Sequence, residues 1–177
     1  MTGSEFSRPV RLDTLGEQPR EMTLAAEPGE RAALASRFGL LALDRLEAAL
    51  TVTRRDDEIA LHGVLRAEVS QACVASGAPV PAALIIPFDI LFRPQPTARP
   101  DEEVELGESE MDVVFYEGGE IDLGEAVAET LLLNLDPYPR APEAEAVLRA
   151  AGVKGEGEEE KENPFAALAG LKGKLKP

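Results

Sequence analysis

Cysteine and histidine, the residue types that pair as thiol nucleophile and base or as zinc ligands, each occur once in this chain: Cys73 in "QACVASGAPV" and His62 in "LHGVLRAEV". A nucleophilic cysteine needs a base or a cationic neighbour to become a thiolate, and it commonly works with a histidine. The parity of its run sets His62 with Arg66 and Glu68, opposite Leu61 and Leu65. That places it on the polar side of a strand and predicts a surface residue, not a partner of Cys73. A structural zinc site needs about four ligands, commonly in close pairs, and one cysteine with one unpaired histidine does not supply them. The acids gather in "DEEVELGESE" and "GEGEEEKE", the pattern of solvated loop charge and not of a convergent carboxylate site. No glycine-rich phosphate loop ends in Lys-Ser or Lys-Thr, and no nucleophile elbow is present. The sequence therefore nominates no catalytic residue, metal or cofactor, and the expectation is a protein that is not an enzyme.

Charge bears on the choice of partner. The net charge is −15, divided unevenly. Residues 1–100 hold 11 Arg and 13 acids, while residues 101–177 hold 7 basic and 20 acidic residues, so the second half carries −13. Every lysine lies at or beyond Lys154. Affinity for a phosphate backbone comes largely from Lys and Arg displacing condensed counterions, so the second half repels RNA. An RNA contact would use Arg54, Arg55 and Arg66 of the first half, or pass through a basic partner protein. Base-stacking sheets display aromatics on strands. Here Trp is absent, and Phe88, Phe92 and Phe115 share the apolar parity of their runs, which predicts core positions.

These side chains must be positioned by a mainly antiparallel framework. Phe6, Arg8, Val10 and Leu12 alternate with Ser7, Pro9 and Arg11, a strand that Pro9 places at an edge. "EPGERAALASRFGL" predicts a short helix over about residues 29–38, stopped by Gly39. Leu46, Ala48, Leu50 and Val52 face one way on a strand, and Ile59, Leu61, Leu65, Ala67 and Val69 do so on the next; "RRDD" between them makes a hairpin. The run from Val80 to Phe92 alternates again, but Pro81 and Pro87 argue for an edge or bulged strand. Met111, Val113 and Phe115 predict one face of a further strand. After "EGGE" the period lengthens: Asp122 and Glu125 have capping-box spacing, with Leu123, Ala126, Val127, Thr130 and Leu131 following at helical intervals. This helix should stop near Asn134, before the prolines of "DPYPRAP".

The sum is an α+β fold, a mainly antiparallel sheet, open or barrel-like, with two to three helices. One domain is expected over residues 1–150, an acidic flexible linker over 151–163 and a short amphipathic helix over 164–177. In the last, Asn163 and Pro164 form the start, lysines the end, and Phe165, Leu168 and Leu171 one apolar side able to dock in a groove. One cysteine makes no intramolecular disulfide, the first residues show no apolar leader, and no run approaches about 18 apolar residues, so a cytosolic protein without a membrane span is expected.

The succession "CVASGAPV", an alternating strand ending "FDILFRP", an acidic loop, "GGEIDLGEAVAETLLLNLDPYPRAPEAE" and "NPFAALAGLK" resembles the YceD family of large ribosomal RNA subunit accumulation proteins, most closely its alphaproteobacterial branch. Its most specific pieces are Asp122-Leu123-Gly124-Glu125, the helix through Leu131-Leu132-Leu133, and Asp136-Pro137-Tyr138-Pro139. Many members carry Cys-x-x-Cys before a Pro-Val pair; here Cys73 holds the first position and Ser76 the second, so the resemblance implies a lone, structural cysteine. It further implies a role in accumulation of large-subunit ribosomal RNA without a defined reaction. The expected partner is a ribosomal protein or an assembly or processing factor, with ribosomal RNA touched indirectly. Asp136, Pro137, Tyr138, Pro139, Phe165, Leu168 and Leu171 are the docking candidates. A direct RNA-binding module and an uncharacterised enzyme are the alternatives.

Overall fold

The computed structural model describes residues 4–96 and 112–153. The elements run β1 (Pro9–Arg11), β2 (Arg20–Ala25), α1 (Pro28–Phe38), β3 (Ala42–Arg55), β4 (Glu58–Ala72), β5 (Pro79–Pro94), β6 (Asp112–Tyr116), β7 (Glu120–Asp122), α2 (Leu123–Leu133) and α3 (Ala144–Ala150). The expected linker beyond Val153, the helix over 164–177 and Met111 lie outside the described residues. No helix among the described residues is long and apolar enough to cross a membrane.

The predicted hairpin is the spine of the fold. Alternation along β3 and β4 sends Leu46, Ala48, Leu50 and Val52, with Ile59, Leu61, Leu65, Ala67 and Val69, to one face, where all are buried. Asp56 turns the chain at φ 53, a left-handed conformation that Asp tolerates because its short side chain can bond locally. Five strands form one sheet in the order β2-β3-β4-β5-β6, with β2 and β6 at opposite edges, so the sheet is open and not a barrel. Its pairs are antiparallel except β5 with β6, which is parallel.

The prolines of β5 divide that strand. Along its whole length it pairs with β4, whereas β6 covers only Ile90–Pro94 on the other side. The nitrogens of Pro81 and Pro87 share their side of the strand with the N–H of Gln95, which donates to the Tyr116 carbonyl of β6 at 2.9 Å. The expected edge strand is therefore an edge over residues 79–89 and internal beyond them. The bonds that proline cannot make fall on the open side.

Two expectations about short strands are corrected. The strand expected from Phe6 to Leu12 is three residues long, and β1 pairs with β7 in a separate two-stranded sheet. Phe115 is not in the core: β6 turns Val114 and Tyr116 to the packed face and leaves Phe115 42% exposed on the other. Phe88 and Phe92 are buried as expected.

Among the described residues, helices cover one face of the five-stranded sheet only. Leu34 of α1 and Val127 and Leu131 of α2 join the inward residues of the sheet in a single core. α1 ends where expected, with Gly39 at φ 67 in the left-handed position that closes a helix. α2 starts at Asp122, whose side chain accepts the N–H groups of Gly124 and Glu125 at 2.9 and 3.1 Å. The reciprocal half of a capping box is absent, because Glu125 turns instead to Arg37 at 2.6 Å and Ser4 at 2.5 Å. Arg37 holds the Glu125 carboxyl below the ordinary carboxylate range. Asp122 also accepts the Arg8 N–H at 2.8 Å and the Ser7 hydroxyl at 2.6 Å, which fastens the N-terminal segment to the start of α2.

Candidate interaction surfaces

Three places gather the residues that the sequence singles out. The first surrounds Cys73, at the turn between β4 and β5. The thiol is free and buried, packed with Ala141 and Ala144. The N–H of Ala141 donates to its sulfur at 3.3 Å. Together with the Ser76 side chain and nearby backbone N–H groups, that bond lowers the thiol to a pKa of about 7, because donors favour the thiolate. Ser76, Ala141 and Ala144 surround the sulfur, and none is a thiolate or imidazole ligand. Among the described residues no group of three His, Cys, Asp or Glu side chains is placed to hold a metal ion. His62 projects from the other face of the sheet, meeting Asp89 through Nδ1.

The second place is the end of the sheet where β3 begins and β4 finishes. Asp136–Pro139 is brought there by two hydrogen bonds, Gln71 Nε2 to the Asp136 carbonyl at 2.8 Å and the Val74 N–H to the Pro139 carbonyl at 2.9 Å. The Asp136 side chain accepts the Tyr138 N–H at 2.9 Å, an Asx turn that presents Tyr138. The four docking candidates are thus not equivalent: Pro139 is buried, while Tyr138 is 71% exposed. Leu133, at the last turn of α2, is 80% exposed, and Leu132, Val74 and Leu41 are also exposed at this end. Glu129, one turn before Leu133 on the same side of α2, and Asp136 add exposed negative charge. Phe165, Leu168 and Leu171 lie outside the described residues.

Leu41, Val74 and Leu133 were not nominated from sequence. A signal for Leu133 existed: three consecutive leucines span more of a helix's circumference than its buried stripe. Leu41 and Val74 carry no such signal.

The third place is the bare face of the five-stranded sheet. The register sets Glu47, Arg66 and Ile85 side by side, then Ala49, Val64 and Pro87, then Thr51, His62 and Asp89, and next Thr53, Ala60 and Leu91. A groove of about 770 Å³ runs over this face, lined by Glu21, Thr51, His62, Val64, Arg66 and Asp89 among others. On the opposite, packed side of the sheet Gly63 leaves no room for a side chain: a Cβ there would meet the Ala49 carbonyl at 2.7 Å and the Phe88 ring at 2.8 Å. The sequence-nominated arginines separate here. Arg66 lines this groove and Arg55 a smaller one beside it. Arg54 points elsewhere, donating to the Leu12 carbonyl at 2.6 Å and the Asp56 carbonyl at 2.8 Å.

Among the described residues, fold and surfaces define an α+β arrangement with one helix-covered sheet face, one bare face and an apolar end. The chain belongs to the YceD family: residues 61–172 match the family described as large ribosomal RNA subunit accumulation protein YceD, as the sequence resemblance implied. The matched span includes the Cys73 turn, the groove residues of β4 and β5, and the Asp136–Pro139 turn. No curated protein and no solved structure matches the chain. The family places it in the accumulation of large-subunit ribosomal RNA.

Proposed function

We propose that this protein is a non-catalytic accessory factor of large ribosomal subunit assembly that acts in the cytosol by binding a basic protein, either a ribosomal protein or an assembly or processing factor. The observation that carries this reading is the exposure of Leu133 and Tyr138, five residues apart in the chain, together with exposed Glu129 and Asp136 in the same stretch and in a half-chain of charge −13. Apolar anchors within a negative surround suit a basic amphipathic segment, because the anchors supply affinity and the charge steers the encounter. The same charge disfavours naked RNA at this end.

The reading is tested in cells depleted of the protein by the ratio of large to small subunits on a sucrose gradient. A large-subunit deficit is expected, restored by the unaltered chain and not by one carrying both Leu133→Ser and Tyr138→Ala. Full rescue by that variant would remove the apolar end from the mechanism, and an unchanged ratio on depletion would remove the biogenesis role.

A second reading, direct RNA contact, draws on one observation: Phe115 is exposed on the bare face beside its cross-strand partner Arg93. It requires a salt-dependent affinity for ribosomal RNA that falls on changing Arg55 and Arg66.

A further inference from the structure

The bare face has an order of charge along β4 that a segment of this same chain matches. Two arginines on the face are already held, Arg45 by Glu47 at 2.7 Å and Arg93 by Glu58 at 2.8 Å, while Arg55 at the far end of the face forms no ion pair among the described residues. Arg66 forms no ion pair among the described residues, and the carboxylate of its cross-strand neighbour Glu47 is taken by Arg45. From Arg66 towards the turn at Asp56 come an apolar band, Ala49, Val64 and Pro87 with Ile85 beside it, and then the acids Glu21 and Asp89 on either side of Thr51 and His62, with one Asp89 oxygen already in contact with His62 Nδ1. Ile85 is 71% exposed, unusual for a large aliphatic residue in the middle of a long strand. The face thus reads cation, apolar, anion.

The chain beyond Val153 reads in the complementary order. Glu156, Glu158, Glu159, Glu160 and Glu162 come first, then Phe165, Leu168 and Leu171, then Lys172, Lys174 and Lys176. The lengths agree. At the helical rise expected from its sequence, Glu162 to Lys172 spans about 15 Å. Four strand residues separate Arg66 from the row of His62 and Asp89, or about 13 Å. The tether also reaches. α3 starts beside Cys73, where Ala144 packs, so the last described helix begins near the junction of β4 and β5. Arg66 lies six residues, about 20 Å, down β4 from Ala72, and the nine residues from Val153 to Glu162 extend to about 30 Å.

We propose that residues 156–174 bind the bare sheet face of their own chain, with the glutamates at Arg66, Phe165 and Leu168 over Val64 and Ile85, and Lys172 or Lys174 at Glu21 and Asp89. The contact stands apart from the proposed function, which concerns the apolar end. It would withhold from partners both the groove and the apolar side of the tail.

Because all five lysines lie in residues 154–176, zero-length coupling of amines to carboxylates with a carbodiimide reports where this segment rests in the full-length protein. Links from Lys172 or Lys174 to Glu21 or Asp89 are expected, within one chain when isotopically light and heavy protein are mixed. Arg66→Glu should lower their yield several-fold, and combining it with Glu160→Arg and Glu162→Arg should restore it. Links confined to other carboxylates, links only between light and heavy chains, or a yield indifferent to Arg66 would each overturn the proposal.

Discussion

The backbone carbonyl of Phe6 occupies the space into which a side chain on Gly124 would project. The first turn of α2 can therefore lie against the N-terminal segment only because residue 124 has no Cβ. The atom in the way is backbone, so it cannot step aside by a rotamer change. Gly124→Ala should destabilise the fold by about 1–3 kcal/mol or more, against the small gain in helix propensity that Ala brings at an unobstructed site. Urea unfolding followed by circular dichroism checks this; a neutral or stabilising effect would show that the two segments do not touch.

Asp122 should be nearly as sensitive. Its carboxylate caps α2 and also binds the Arg8 N–H and the Ser7 hydroxyl. Asp122→Ala leaves these donors without their partner and should cost about 2 kcal/mol. Asp122→Asn keeps one acceptor oxygen and should lose less. Comparable losses in the two variants would show that charge, and not hydrogen-bond geometry, fastens the segment.

The Cys73 thiol gives stability a dependence on pH of known sign. Its folded pKa of about 7 lies below that of an ordinary cysteine, so the fold favours the thiolate. The contribution is absent well below pH 7, grows as pH rises through it, and is complete above about 8.5, where unfolded cysteine also ionises. Denaturation midpoints between pH 6 and 9 should rise for the unaltered chain relative to Cys73→Ala. Parallel profiles for the two proteins would mean that the sulfur stays protonated.

At the apolar end, stability and function should separate. Leu133 and Tyr138 are mostly exposed, so Leu133→Ser with Tyr138→Ala should change unfolding free energy by no more than about 0.5 kcal/mol each. The same changes should abolish rescue of the large-subunit deficit. A folded variant that still rescues would separate this end from partner binding.

What was legible in the sequence follows from how strongly each element is constrained. In β3 and β4 one face is buried and the other is wet, so alternation from Leu46 to Val69 specifies parity directly. α1 carries its own stop at Gly39, and α2 changes the period within one turn. β2 was missed because Met22 and Leu24 are its only large apolar residues, and α3 because its seven residues bury only Ala144. In β6 apolar residues stand on both sides, so nothing local decides whether Val113 and Phe115 or Val114 and Tyr116 turn inward; the packing against β5 decides it. The docking turn at Asp136–Pro139 was legible as a motif, yet its division into buried Pro139 and exposed Tyr138 depends on hydrogen bonds from Gln71 and Val74, more than sixty residues earlier in the chain. Arg54 separated from Arg55 because neighbours on a strand face opposite sides.

The fastening of Arg8 to Asp122 bridges 114 residues. The hairpins from β3 to β5 join neighbours in the chain and can form as soon as they emerge during synthesis, but β1 has no partner strand until β7 has been made. Phe6, fully buried in the finished protein, therefore stays exposed through most of translation. The segment made first is the one that closes the fold last, so a nascent chain should keep one side of its core open to chaperones until α2 has left the ribosome.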